Sequence, residues 1–387
     1  MPVLEDPKSA LTRTKDLYVT TAIIWLSTSI LTFFLIGASY VYAWIRPPLA
    51  RRSYIANGRA AALGTLSHAD AIQCFKDFEN LQNSQAYRYR PWVGFSERVF
   101  KSRFLNIDYA EPLPTRRTID PRDGEPATKT IWLFGGSTQF GQLVPDGQTI
   151  ASHLSAILST GRTHYKVVNL GHTWYYSSQE AALFETLLRH GQKADLAVFL
   201  DGLNDLSFSS GDVPWSADRT ATGYLKEERF AAAANSGQIT IGPYFPPVRI
   251  LNRLLGRRPS NSDPEADGRA RVDYDPLRIY RFNMLAIQKI AEAENIGVAF
   301  YWQPTPFDDL PEAEQNRKVY KVSDIYSRLN LSIRQTIRHP DFHFLADLFQ
   351  HEAYKDVYVD DVHYGDKGCS MVAQAIAESL RKEGRLP

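Results

Sequence analysis

No charged residue occurs between Leu17 and Ile45, whereas Asp16 stands just before this stretch and Arg46 just after it. A helix needs about 20 apolar residues to cross the hydrocarbon core of a bilayer, so the stretch suffices with some tilt. Tyr18, Tyr40, Tyr42 and Trp44 lie near its ends, where amphipathic rings suit the headgroup region. A cleaved signal peptide is the main competitor, but its apolar core runs to only about 7–15 residues. Hydrophobic sequence also continues past the small residues Gly37-Ala38-Ser39. The expectation is an uncleaved transmembrane helix over residues 17–45, preceded by a tail at 1–16 and contacting membrane lipid. Lys8, Arg13 and Lys15 before it nearly balance Arg46, Arg51 and Arg52 after it, so charge does not fix its orientation.

The remaining chain has a formal net charge of +1 and only paired basic residues such as Arg257-Arg258. Nucleic acid is therefore not expected as a partner, because phosphate binding needs a concentrated basic surface. The two cysteines, Cys74 and Cys369, do not form a zinc-binding pattern. They read as buried free thiols in preference to a disulfide. Residues 46–129 form a connecting region, with a helix expected within Ala60 to Gln82 and extended chain or loop after it. This region reads as wrapping the domain that follows.

From Thr130 onward, short apolar runs alternate with amphipathic stretches. The runs are Ile131–Phe134, Tyr165–Leu170, Asp195–Leu200 and Val298–Trp302. Helices are expected near Thr149–Leu158, Gln179–Arg189, Leu277–Glu294, Lys318–Ile337 and Lys367–Lys382. This alternation predicts an α/β domain over 130–387, with a parallel sheet covered on both faces. Ligands bind such sheets beyond the carboxyl ends of the strands. An insertion at about 206–276 follows the third strand and reads equally as a lid or as a surface excursion.

Four short motifs occupy the informative positions. Gly135-Gly136-Ser137-Thr138 follows the first strand, and its glycines permit a tight turn that exposes the serine. It is not a P-loop, since no Lys-Ser or Lys-Thr follows, nor a nucleophile elbow, since Gln139 stands where glycine is required. Gly171 follows the second strand and offers a backbone N–H; Asn204, after the third, offers a side-chain amide. Both donor types serve oxyanion holes, although singly each is simply a turn residue. Asp360 and His363, three apart before the last helix, allow a carboxylate to fix an imidazole tautomer and leave Nε2 free as a base. Asp361 is an alternative carboxylate, and Asp366 reads as the N-cap of the last helix.

In this order the motifs resemble the SGNH (GDSL-like) hydrolase family, named for Ser, Gly, Asn and His in four blocks. Ser137, Gly171, Asn204 and the Asp360/His363 pair match those blocks, and the resemblance covers roughly Thr130 to Leu380 apart from the insertion. Gly136 stands where the family usually has aspartate, and the Gly-Gly-Ser-Thr form looks like a variant of membrane-anchored relatives. The resemblance implies a flavodoxin-like three-layer α/β/α sandwich that uses no metal or organic cofactor. It also implies a catalytic domain on the periplasmic or extracellular side. Ser137 would be the nucleophile, His363 the base and Asp360 its orienter, with Ser137, Gly171 and Asn204 as the oxyanion hole. The implied function is a serine ester hydrolase removing acyl, in particular acetyl, groups from a cell-envelope glycan or lipid. An O-acyltransferase to a polysaccharide hydroxyl would use the same acyl-enzyme, with that hydroxyl in place of water at the second step, and a membrane partner protein is a further candidate partner. A reading of another class is a non-catalytic assembly module of a membrane complex, in which the motif residues need not converge. Trp174, Tyr175, Tyr176, Trp215 and Tyr364 lie near the expected site loops, where aromatic rings either stack on sugars or pack.

Overall fold

A computed structural model describes residues 7–45, 58–83, 86–207, 276–306 and 323–386. The insertion, including Trp215, falls almost wholly outside the described residues.

The helix Pro7–Ile45 contains the charge-free stretch. Leu17, Ile23, Ile24, Trp25, Leu26, Phe33 and Phe34 all project outward and exposed, so the helix is apolar all round. Such a surface suits hydrocarbon better than water, and residues Lys15–Ala38 are long and apolar enough to span a bilayer. The hydroxyls of Thr21 and Thr32 donate to the carbonyls of Leu17 and Thr28, both at 2.7 Å. Thr28 makes the same bond to Ile24. The hydroxyls are thereby satisfied within the helix, as an apolar solvent requires.

Among the described residues the α/β region contains ten strands: β1 (Tyr87–Arg90), β2 (Gly94–Glu97), β3 (Phe100–Lys101), β4 (Asn106–Asp108), β5 (Thr115–Arg116), β6 (Lys129–Gly135), β7 (Tyr165–Gly171), β8 (Leu196–Asp201), β9 (Gly297–Trp302) and β10 (Phe342–Phe344). β1 and β2 form an antiparallel hairpin, and the others form one sheet in the order β10-β9-β8-β6-β7-β5-β4-β3. The five strands from β6 to β10 are parallel to one another. Their order is that of a flavodoxin-like sheet, with β6 at the point where the winding reverses. Beyond β7 the sheet continues through the antiparallel β5, β4 and β3.

The period-2 alternation of strand side chains sorts them into two cores. Ile131, Leu133, Val198, Leu200, Ala299 and Tyr301 face the helices His68–Asn83, Ile150–Leu158 and Asp366–Lys382. Trp132, Phe134, Ala197, Phe199, Val298, Phe300 and Trp302 face the helices Ser177–Arg189 and Pro276–Glu294. Fully burying one such side chain contributes about 1.5–3 kcal/mol, so both faces of the sheet must be covered. Cys74 and Cys369 are free and buried in the first core. Residues expected as connecting loop therefore supply three short strands and a hairpin. These strands are only two or three residues long, too short to show a periodicity.

Candidate active site

Ser137 and Asn204 follow β6 and β8, the adjacent parallel strands between which the winding reverses and beyond whose carboxyl ends such sheets bind ligands. Ser137 begins the four-residue helix Ser137–Phe140 directly after β6. The first N–H of a helix has no intrahelical acceptor, which leaves the Ser137 N–H outside the helix's own hydrogen bonding. Asn204 lies in the short helix Leu203–Ser207 after β8. Its Nδ2 donates to the Tyr175 carbonyl at 2.6 Å, and an amide nitrogen carries a second hydrogen.

His363 arrives from the far end of the chain. The 358–364 loop is closed by the Tyr358–Tyr364 bridge and by the Val359 N–H donating to the His363 carbonyl at 2.8 Å. Within it Asp360 Oδ1 accepts from the backbone N–H groups of Val362 (2.9 Å) and His363 (2.8 Å), a local turn that fixes the carboxylate. His363 Nδ1 lies 2.9 and 2.8 Å from the two Asp360 oxygens, and its Nε2 lies 2.9 Å from Ser137 Oγ. It is Asp360, not Asp361, that meets the ring. Ser137, Asp360 and His363 are 9%, 7% and 7% exposed, enough for a small opening in an otherwise desolvated cluster. Burial alone would raise the Asp360 carboxyl. The adjoining His363 ring, with the N–H groups of Val362 and His363, outweighs that and holds it down at about 2.

Gln303 ties these loops together and was not anticipated from the sequence. It follows β9 directly, and its Oε1 lies 2.5 Å from Thr138 Oγ1 and 3.2 Å from the Tyr364 hydroxyl. Tyr364 also donates to the Pro304 carbonyl at 2.6 Å. The residues flanking the serine and the histidine thus share one buried amide. Applying the strand-end rule to the fourth strand would have reached it.

Gly136 stands in a crowded position. A Cβ built there would lie 2.6 Å from Asn204 Nδ2 and 3.0 Å from the Tyr175 carbonyl oxygen. The space of a side chain is filled by the Asn204 amide and its anchor.

Gly171 differs from expectation. Its N–H donates to Asn169 Oδ1 at 3.0 Å, so that donor is engaged inside the fold. A Cβ at Gly171 would lie 2.4 Å from Phe140 N, which shows why glycine is needed: the serine-bearing helix rests directly on the end of β7. Asp366 is also corrected. Gly365 is the N-cap, and Asp366 lies in the first turn with its carboxylate 2.9 Å from His153 Nε2. Of the aromatic residues, Tyr175, Tyr176 and Tyr364 are buried packing groups, while Trp174 is 41% exposed.

A second His–carboxylate pair flanks the site. Glu97 Oε2 of β2 lies 2.5 Å from His172 Nδ1, and Oε1 accepts from the Thr173 N–H at 2.7 Å. Burial pushes the Glu97 carboxyl up, but His172 and Thr173 outweigh it and hold it low. Further behind Asn204, Glu180, Asp201 and Asp205 are all buried. Burial raises each of them, Asp205 to about 6 despite its bond from the Ser177 hydroxyl.

No family model matches this sequence, and no curated protein matches it significantly. Among solved structures, the chain is similar to TesA, at 14% identity over 66% of this chain and 99% of that one, with a TM-score of 0.35. It is similar to a GDSL-like lipase from Bacteroides thetaiotaomicron, at 12% identity over 66% and 89%, with a TM-score of 0.33. It is also similar to a catalytic mutant of Axe2, an acetylxylan esterase from Geobacillus stearothermophilus, at 12% identity over 66% and 94%, with a TM-score of 0.35. At these values the chemistry of the site rests on its own geometry.

Proposed function

We propose that this chain is a membrane-anchored serine esterase that removes acyl groups, in particular acetyl, from a glycan or lipid of the cell envelope. The observation that carries this reading is the continuous chain Ser137 Oγ, His363 Nε2, His363 Nδ1 and Asp360, built from two segments at opposite ends of the α/β region. A purely structural module has no need for that alignment, and an assembly module would leave these residues free to lie apart.

The chemistry follows from the geometry. Asp360, kept ionised, fixes the imidazole with its proton on Nδ1 and leaves the Nε2 lone pair facing Ser137. His363 takes the hydroxyl proton as Oγ attacks the ester carbonyl. Negative charge then develops on the carbonyl oxygen, where the Ser137 N–H and the second Asn204 N–H serve as donors. Collapse expels the alcohol, which takes the proton from His363 and leaves an acyl-serine. Water, deprotonated by His363, attacks that ester and releases the acid and free Ser137. The outward-facing apolar helix at the N-terminus supports membrane anchoring.

The test uses the purified full-length chain in detergent, a fluorophosphonate probe and a short-chain aryl acetate. Labelling and turnover are expected in the wild type, and both should vanish in Ser137→Ala. A folded wild type that neither labels nor turns over the acetate would overturn the reading.

A further inference from the structure

Trp174 has φ +70, a left-handed conformation in which a bulky side chain is an outlier. Such a residue persists only where its surroundings over-determine it, and here they are explicit. On one side the Thr173 N–H is held by Glu97 Oε1 at 2.7 Å, with Thr173 Oγ1 2.5 Å from the same oxygen. On the other side the Tyr175 N–H donates to the His172 carbonyl at 3.2 Å, and the Tyr175 hydroxyl donates to the Phe95 carbonyl. The Trp174 side chain also interacts with the Tyr87 hydroxyl. The backbone on both sides of Trp174 is thus held, while 41% of the residue stays exposed.

The backbone that carries this ring lies beside the proposed chemistry. The next residue, Tyr175, supplies the carbonyl that anchors Asn204, and the same carbonyl oxygen is 3.0 Å from where a Cβ of Gly136 would stand. Gly136 immediately precedes Ser137. We infer that Trp174 is the platform of a carbohydrate subsite, stacking on a pyranose ring whose acyl ester is presented to Ser137. This rests on reading Ser137 as an ester-cleaving nucleophile.

The form of the surface favours a sugar over a fatty chain. The indole offers a flat, rigid, electron-rich face, which suits the polarised C–H groups of a pyranose. A fatty chain is better served by a concave apolar pocket. The neighbouring Tyr175 and Tyr176 are only 1% and 7% exposed, so they do not extend the face into an apolar trough.

The test compares kcat/KM for a partly O-acetylated xylo-oligosaccharide with that for an aryl acetate, using the full-length chain in detergent. Trp174→Gly removes the ring and also relieves the left-handed backbone, so misfolding does not explain a loss. The ratio of oligosaccharide to aryl acetate kcat/KM is expected to fall about tenfold in Trp174→Gly, mainly through KM, and to recover largely in Trp174→Tyr. Trp92→Gly, at another exposed left-handed tryptophan on the hairpin turn, should keep the wild-type ratio. An unchanged ratio in Trp174→Gly, an equal fall in Trp92→Gly, or a wild type that cleaves aryl acetate but not the oligosaccharide would overturn the subsite. Aryl acetate turnover that survives Ser137→Ala would instead overturn the esterase reading itself.

Discussion

Two histidines in this protein are each clamped by a buried carboxylate, and they have opposite surroundings. His363 is held by Asp360 at 2.8 Å and presents Nε2 to Ser137 Oγ at 2.9 Å, with a small opening to solvent. His172 is held by Glu97 at 2.5 Å, yet its Nε2 has no hydrogen-bond partner among the described residues and both side chains are 1% exposed. Both carboxylates are kept ionised against burial by the ring beside them. A clamped imidazole is therefore not in itself a base: its free nitrogen must face a nucleophile that a substrate can reach. The Glu97 pair works as a staple, joining the hairpin of β1 and β2 to the loop after β7.

The sharpest way to break this comparison is to remove each histidine's function in turn. His363→Ala should cut esterase turnover by about 10⁶-fold with the fold retained, checked by aryl acetate kinetics and circular dichroism. Asp360→Asn, which leaves the ring without its anionic clamp, should lose about 10⁴-fold in kcat. Asn204→Ala should lose about 10²–10³-fold, mostly in kcat, since it removes a donor that acts as charge develops. Glu97→Ala should instead lower stability by about 3–5 kcal/mol, because it strands a buried imidazole. A thermal melt reads that loss, and the rate per folded molecule should stay within about threefold of wild type, below the cost of misplacing a reacting group. A catalytic collapse in Glu97→Ala without any loss of stability would erase the distinction between the pairs.

The smallest effect concerns pH. Asp205 has a folded value of about 6, above its ordinary range, so the native state takes up a proton that the unfolded chain releases. Its contribution to stability is greatest below about pH 3.9 and falls as pH rises through about 6. Asp360 has the opposite sign, with a contribution present above about pH 3.9 and lost as pH falls toward about 2. Asp205→Asn should flatten the pH dependence of the melting temperature between about pH 4 and 7.

The parts legible in the sequence were those with local signals. β6 to β9 are six- or seven-residue apolar runs, and the serine, the asparagine and the Asp360/His363 turn each lie where a strand ends or a helix begins. Gly171 was legible as a special glycine but not for its reason, because its close contact with Phe140 N exists only once the serine helix is folded onto β7. The Glu97–His172 staple joins residues 75 apart and has no local mark. Strands β3 to β5 are set by pairing with neighbours, which short polar segments do not announce.

Gln303 gives the active site a weak point that the sheet does not share. The serine turn and the histidine loop meet through its side chain and the Ser137–His363 contact, whereas the strands beneath are joined by continuous ladders from β7 to β10. Local opening needs less free energy than global unfolding, so on warming the 358–364 loop should loosen while the sheet still holds. Heat should then silence this protein some degrees before it melts, with full activity returning on cooling for as long as the sheet survives.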